Sequence, residues 1–171
     1  PPYGGIASNL YHLLPELAKN GFNVTSVTFS KLDKTISSGK MTNIFVNKKR
    51  YCARNVLSVI LLFLKSIELK NELKLKELFV LCVSAKYLID KIDALKIDYF
   101  FVYDNLQGYN IPIIRKILGN KIIIVFQILG DYYLSPERYI KHKKYNNIIL
   151  NNSDLVFSSS SYCAKSAKEL F

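Results

Sequence analysis

PPYGGIASNLYHLLPELAKNGFNVTSVTF, residues 1–29, carries the reading that decides the fold. Gly4 and Gly5 stand where a strand hands over to a helix. Ile6, Leu10, Leu13, Leu14 and Leu17 then recur on one helical face. Gly21 follows Asn20 as a helix-ending glycine should. Asn23 to Phe29 alternates Val24, Val27 and Phe29 with Thr and Ser, the pattern of a strand. The glycines therefore sit at a helix N-terminus inside a βαβ unit, a natural place to hold a phosphate. The first residue is Pro, so the strand before Gly4 is expected upstream of the given residues. Pro15 lies within the first helix and is expected to kink it or split it near Leu14.

Working outward, Ser30 to Lys40 is polar and reads as a loop, with Ser37, Ser38 and Gly39 at its centre. Thr42 to Val46 is a short strand, and the basic stretch Asn47 to Arg54 reads as a connection. Two helices follow, over about Asn55 to Lys70 and Lys74 to Leu95. The first has a broad apolar face of Val56, Val59, Ile60, Phe63, Leu64 and Ile67. Such a face is expected to cover the sheet. With Arg50, Arg54, Lys65 and Lys70 on its flanks, it also fits contact with a membrane surface. Ile97 to Tyr103 and Lys121 to Phe126 are apolar runs that fit parallel strands buried on both faces. A short helix with Pro112 in its first turn lies between them, ended by Gly119. Ser135-Pro136-Glu137 opens a helix running to about Asn151. Leu155 to Ser158 is a third strand of this part, and Ser161 caps a last helix to Phe171.

Strands alternating with helices through short loops predict an α/β doubly wound parallel sheet. The chain has 171 residues, half of them hydrophobic, so a single domain over 1–171 is expected. In such sheets ligands bind outside the carboxyl ends of the strands. Four loops qualify, at residues 1–7, 30–40, 104–110 and 127–135. Within them Gly4 and Gly5 offer backbone N–H groups. Tyr103, Asp104, Asn105, Gln127 and Asp131 offer side chains to a sugar or nucleotide. Each residue alone also suits a structural role, such as an Asx turn at Asp104-Asn105 or a tight turn at Gly130-Asp131. Their shared placement at carboxyl ends is what points to a site.

Lys and Arg number 24 against 13 Asp and Glu, a net charge of +11. The positives are mostly Lys and spread along the chain, a poor match to base readout. No nucleic-acid partner is expected, while an anionic membrane, a lipid-linked acceptor or a nucleotide suits the charge. Cys52, Cys82 and Cys163 form no C-x-x-C pair, which suggests inert thiols in a reducing compartment and so a cytoplasmic location, peripheral at the membrane if the basic helix docks there. His12 and His142 have no ligands at metal spacing, so no metal and no cofactor are expected.

The order of motifs resembles the large group-one family of retaining GT-B glycosyltransferases. Residues 1–24 look like its opening Gly-Gly loop, Leu-rich helix and following Val. IDYFFVYDN, KIIIVFQ and NNSDLVFSSS look like its next strands in order. The resemblance covers nearly the whole chain, as a Rossmann-like N-terminal half.

It implies that Gly4 and Gly5 approach the donor diphosphate and the acceptor, and that Tyr103, Asp104 and Asn105 lie near the acceptor. Gln127 falls where many members place a His that contacts the transferred sugar. Gln hydrogen-bonds a hydroxyl but cannot carry a proton as imidazole does. The resemblance further implies metal-free transfer from a nucleotide sugar and a donor-binding domain after Phe171. Without that domain the chain is expected not to turn over. A natural split enzyme, with the donor domain supplied in trans, is a second reading. A non-catalytic α/β module for a nucleotide or an anionic surface is a third.

Overall fold

The structure, a computed structural model, describes residues 5–71, 73–103, 108–128, 146–158, 160–161 and 164–165. Two compact units are present, Pro1–Asn55 and Val56–Phe171.

The first unit begins with α1 (Gly5–Lys19). It is one uninterrupted helix through Pro15, so the expected split near Leu14 does not occur. Gly21 adopts φ +97°. The Phe22 amide reaches Leu17 O at 3.1 Å and the Gly21 amide reaches Ala18 O at 3.2 Å. That pair of bonds is a Schellman ending, which needs the left-handed glycine. Strands β1 (Val24–Ser30), β2 (Lys34–Ser38) and β3 (Met41–Asn47) follow, then α2 (Lys48–Arg54).

Two expectations are corrected here. The polar stretch 30–40 contains a strand, β2, which pairs antiparallel with β3. Ser38 faces Met41 across a two-residue loop, and Gly39 takes φ +55° at its first position. That geometry makes the glycine a hairpin residue rather than a loop marker. The sheet order is β1-β3-β2, with β1 and β3 parallel, so this sheet is mixed. β2 is exposed along its whole length, which explains its polar sequence. The basic connection at 48–54 is the helix α2. Asn47 caps it, its Oδ1 accepting from the amides of Lys49 at 3.1 Å and Arg50 at 3.2 Å.

The second unit comprises α3 (Val56–Lys65), a 3₁₀ turn (Ile67–Asn71), α4 (Leu75–Leu95), β4 (Tyr99–Tyr103), α5 (Ile111–Leu118), a 3₁₀ turn (Gly119–Lys121), β5 (Ile123–Ile128), a helical stretch over 146–151, and β6 (Leu155–Ser158). Its sheet runs β4-β5-β6 and is wholly parallel. This βαβ order makes the fold α/β and Rossmann-like, as expected. The helix expected over 55–70 stops at Lys65. It packs on α4 rather than on the sheet. The start of the helix expected at Ser135 and most of the helix expected after Ser161 lie outside the described residues.

One face of the second sheet is better buried than the other. Val102, Ile124, Phe126 and Ile128 lie on one face and are buried. On the other face Tyr99, Phe101, Ile123, Leu155 and Phe157 are exposed. The expectation of strands buried on both faces therefore fails for β4, and it holds for β5 from Ile124 onward. A continuous apolar run does not distinguish one buried face from two. α4 supplies much of this unit's core through Leu78, Cys82, Val83, Ala85, Leu88, Ile89 and Ile92. Burial pushes the Cys82 thiol up to about 11, against a weaker pull downward from the Ser66 hydroxyl. Cys82 is thus the inert core thiol that the sequence suggested.

Candidate functional site

The carboxyl ends of β4, β5 and β6 form the rim where a parallel sheet binds ligands. Tyr103 is the last residue of β4 and is the register partner of Gln127. Two predicted site residues from different segments therefore stand side by side. Gln127 is in turn the partner of Phe157 on β6.

Phe101 and Phe157 belong to the two outer strands, about 10 Å apart by ordinary strand spacing. Their rings nevertheless meet edge to face, with centroids 5.5 Å apart. The pair therefore reaches across the central strand, on the face that carries Val125 and Gln127. Gln127 keeps 7% of its surface exposed. Its carboxamide makes no hydrogen bond to a described residue.

Two residues before α5 pack tightly on the core. Gly108 sits so close to the core that a Cβ there would meet Phe126 Cε2 at 3.0 Å and Ile149 Cδ1 at 3.4 Å. Asn110, at the start of α5, is buried and accepts a hydrogen bond from Ser84 Oγ at 3.1 Å. These two residues, with the Phe101–Phe157 pair, are what the sequence reading missed. The strand period could have placed Phe101 and Phe157 on Gln127's face once the register was known. No local signal reveals Gly108's close approach. Asp104, Asn105 and Asp131 lie outside the described residues.

In the first unit Gly5 is the first residue of α1, as expected for a backbone that offers N–H groups at a helix start. Gly4 lies outside the described residues. The carboxyl ends of β1 and β3 are tied to each other. Asp33 accepts from the Asn47 amide at 2.7 Å and pairs with Arg50 at 3.3 Å. Asn47 Nδ2 donates to Lys31 O at 2.9 Å. The Asn47 amide, helped by Arg50, holds the Asp33 carboxyl below its usual range against a partial loss of hydration. Lys48 lies 4.4 Å from the centre of the Phe29 ring, and burial lowers its pKa. The expected ligand loop at 30–40 is therefore a hairpin with an internally satisfied base.

The opposite, amino-end rim of the second sheet is also satisfied internally. Arg115 on α5 donates to Asn152 O at 3.2 Å, Gly119 O at 2.7 Å and Ile122 O at 3.3 Å, and pairs with Asp154. Asp154 Oδ2 accepts from the Ile124 amide at 2.7 Å. That bond first, then Arg115, holds the Asp154 carboxyl below its usual range, while burial opposes them. The acid before β6, part of the family-like motif, is thus a joint between strands. An open cleft of about 270 Å³ on this rim is lined by Asp93, Lys96, Asp98 and Lys121 among others. It lies at the amino ends, away from Gln127, so it is not the site the topology indicates. Among the described residues no helix is long and apolar enough to cross a membrane.

No protein-family model and no curated protein matches the sequence. Among solved structures, the chain is similar to an α,α-trehalose-phosphate synthase (UDP-forming) from Burkholderia xenovorans, crystallised with glucose-6-phosphate. The TM-score is 0.55 at 16% identity, and the match covers 97% of this chain and 39% of that one. The likeness shows a GT-B-like fold. The chain spans well under half the length of that enzyme.

Proposed function

We propose that this chain is the acceptor-side half of a retaining glycosyltransferase that moves a sugar from a nucleotide-sugar donor to an acceptor. The observation that supports this most is the fold likeness to a sugar-transferring enzyme along 97% of the chain. Gln127 suits the role of sugar contact. It is a buried amide at a parallel strand's carboxyl end with no hydrogen bond to a described residue, and a carboxamide both donates to and accepts from hydroxyls. The exposed Phe157 ring beside it offers an apolar face to the C–H side of a sugar.

In this reading Gly4 and Gly5 bring backbone N–H groups to the diphosphate, where a β-carbon would intrude. Tyr103, Asp104, Asn105 and Asp131 line the acceptor side. The donor nucleotide is held by a second domain, in the same chain or in a partner, and the leaving diphosphate is stabilised by basic groups there without a metal. The working compartment is the cytoplasm, where unpaired thiols stay reduced.

The test is an assay of the intact gene product, with its donor domain, against a panel of UDP- and GDP-sugars. Nucleoside diphosphate release that depends on an added acceptor is the expected result. Gly5→Val should cut that release about a hundredfold, the scale of losing a positioned donor to developing charge, with the circular dichroism unchanged. Turnover by the 171-residue chain alone, or full activity in Gly5→Val, contradicts the assignment.

A further inference from the structure

α3 is apolar on both its buried and its open side. Val59 and Leu62 point inward and are buried, as is Ser66 just beyond the helix, and Phe63 meets Phe79 of α4 with ring centroids 5.8 Å apart. The remaining apolar residues, Val56, Leu57, Ile60, Leu61 and Leu64, are all exposed, Leu57 at 72%, Leu64 at 57% and Leu61 at 52%. At about 100° per residue they fill one arc of roughly 140°. A monomer's surface rarely carries so continuous an apolar ridge without a partner for it.

This ridge is not the face expected from the sequence. Val59 and Phe63 belong to the packed side, and Leu57 and Leu61 replace them outside.

We propose that the outer ridge of α3 docks on an anionic lipid bilayer. The helix VLSVILLFLK contains no acidic residue and ends in the exposed Lys65. Arg54, also exposed, stands two residues before Val56 in the chain. Glu68, the acid that follows, is paired with Lys116 at 2.6 Å. A ten-residue helix is about 15 Å long, far short of a span, so it lies in the interface plane with leucines toward the acyl chains. A second copy of the chain is the less suitable occupant, because each copy carries +11 and repels the other. The same charge draws the chain to anionic headgroups. The inference stands apart from sugar transfer and is tested without it.

The chain contains no Trp, so Leu57→Trp installs a single reporter at the ridge and Phe22→Trp one at an exposed control position in the first unit. With mixed phosphatidylcholine–phosphatidylglycerol vesicles, the Leu57→Trp emission should shift to the blue, while that of Phe22→Trp should not. The unmodified chain should co-sediment with these vesicles and less with pure phosphatidylcholine. Leu57→Glu/Leu61→Glu should lower the bound fraction about tenfold or more, from the loss of two buried leucines. Lys65→Ala should lower it about fivefold at low salt.

These exposed sites bear no packing, and unchanged circular dichroism checks the fold. An unshifted Leu57→Trp emission overturns the proposal. So does equal sedimentation of the double variant, or a ridge variant that changes only the oligomeric mass while the unmodified chain stays off the vesicles.

Discussion

At the amino-end rim of the second sheet, Arg115 and Asp154 direct their polar atoms at backbone groups of α5, β5 and the turn before β6. At the carboxyl-end rim, Gln127 is buried on the face of the Phe101–Phe157 ring pair and makes no hydrogen bond to a described residue. Both rims belong to the same three strands, so the contrast is not one of stability between domains. Polar groups that satisfy the backbone hold a fold together. A polar group at the ligand-binding rim that is not tied to the backbone in this way is a candidate for binding a ligand. The first sheet sharpens the contrast. Its carboxyl end is closed by Asp33, Asn47 and Arg50.

Removing the amino-rim joint should have the largest effect. Arg115→Met strips three backbone carbonyls and Asp154 of their partner at a side chain only 13% exposed. The expected loss is about 2–3 kcal/mol, below the figure for a fully buried pair because Asp154 is partly solvated. Urea denaturation of the variant measures it. A loss under half a kcal/mol breaks the claim that this rim is structural.

Gly108→Val tests how tightly the backbone before α5 packs on the core. Its side chain would press on Phe126 and Ile149, with an expected cost of about 1–3 kcal/mol. Asn47→Ala, at the closed end of the first sheet, should cost about 1 kcal/mol through the lost cap of α2. Thermal unfolding of each variant checks both.

The smallest effect concerns pH. The folded-state pKa of Asp154 lies below the ordinary value it has in the unfolded chain, chiefly through the Ile124 amide. Its contribution is therefore present above that value and is lost as the pH falls through the folded pKa. Asp154→Asn should flatten the acid limb of the stability–pH curve and leave its slope near neutrality unchanged.

Much of this contrast was legible in the sequence. The strand-to-helix glycine at Gly5, the parallel strands at Tyr99 and Ile123, and the helix-ending Gly21 and Gly119 follow from local chemistry, and the structure places them within one or two residues of expectation. What was not legible depended on register. β2 is polar because it is an exposed edge, so its alternation carries no apolar signal. Asn47 was visible as a polar residue, but its cap showed only with the helix behind it. The outward turn of Leu57 and Leu61 depended on which stripe of an all-apolar helix meets α4, and composition does not choose between stripes. At the site, the pairing of Tyr103 with Gln127 follows from the order of strands. The closure of Phe101 and Phe157 over β5 needs side chains from two strands that are not neighbours.

The most direct test of the proposed function is Gln127→Ala in the intact gene product, read by unfolding and by sugar transfer together. Stability should stay within about 1 kcal/mol, since no hydrogen bond to a described residue is lost, while transfer falls about a hundredfold. A variant that transfers sugar at the parent's rate, or that unfolds as readily as Arg115→Met, would contradict the assignment of the carboxyl rim as the site.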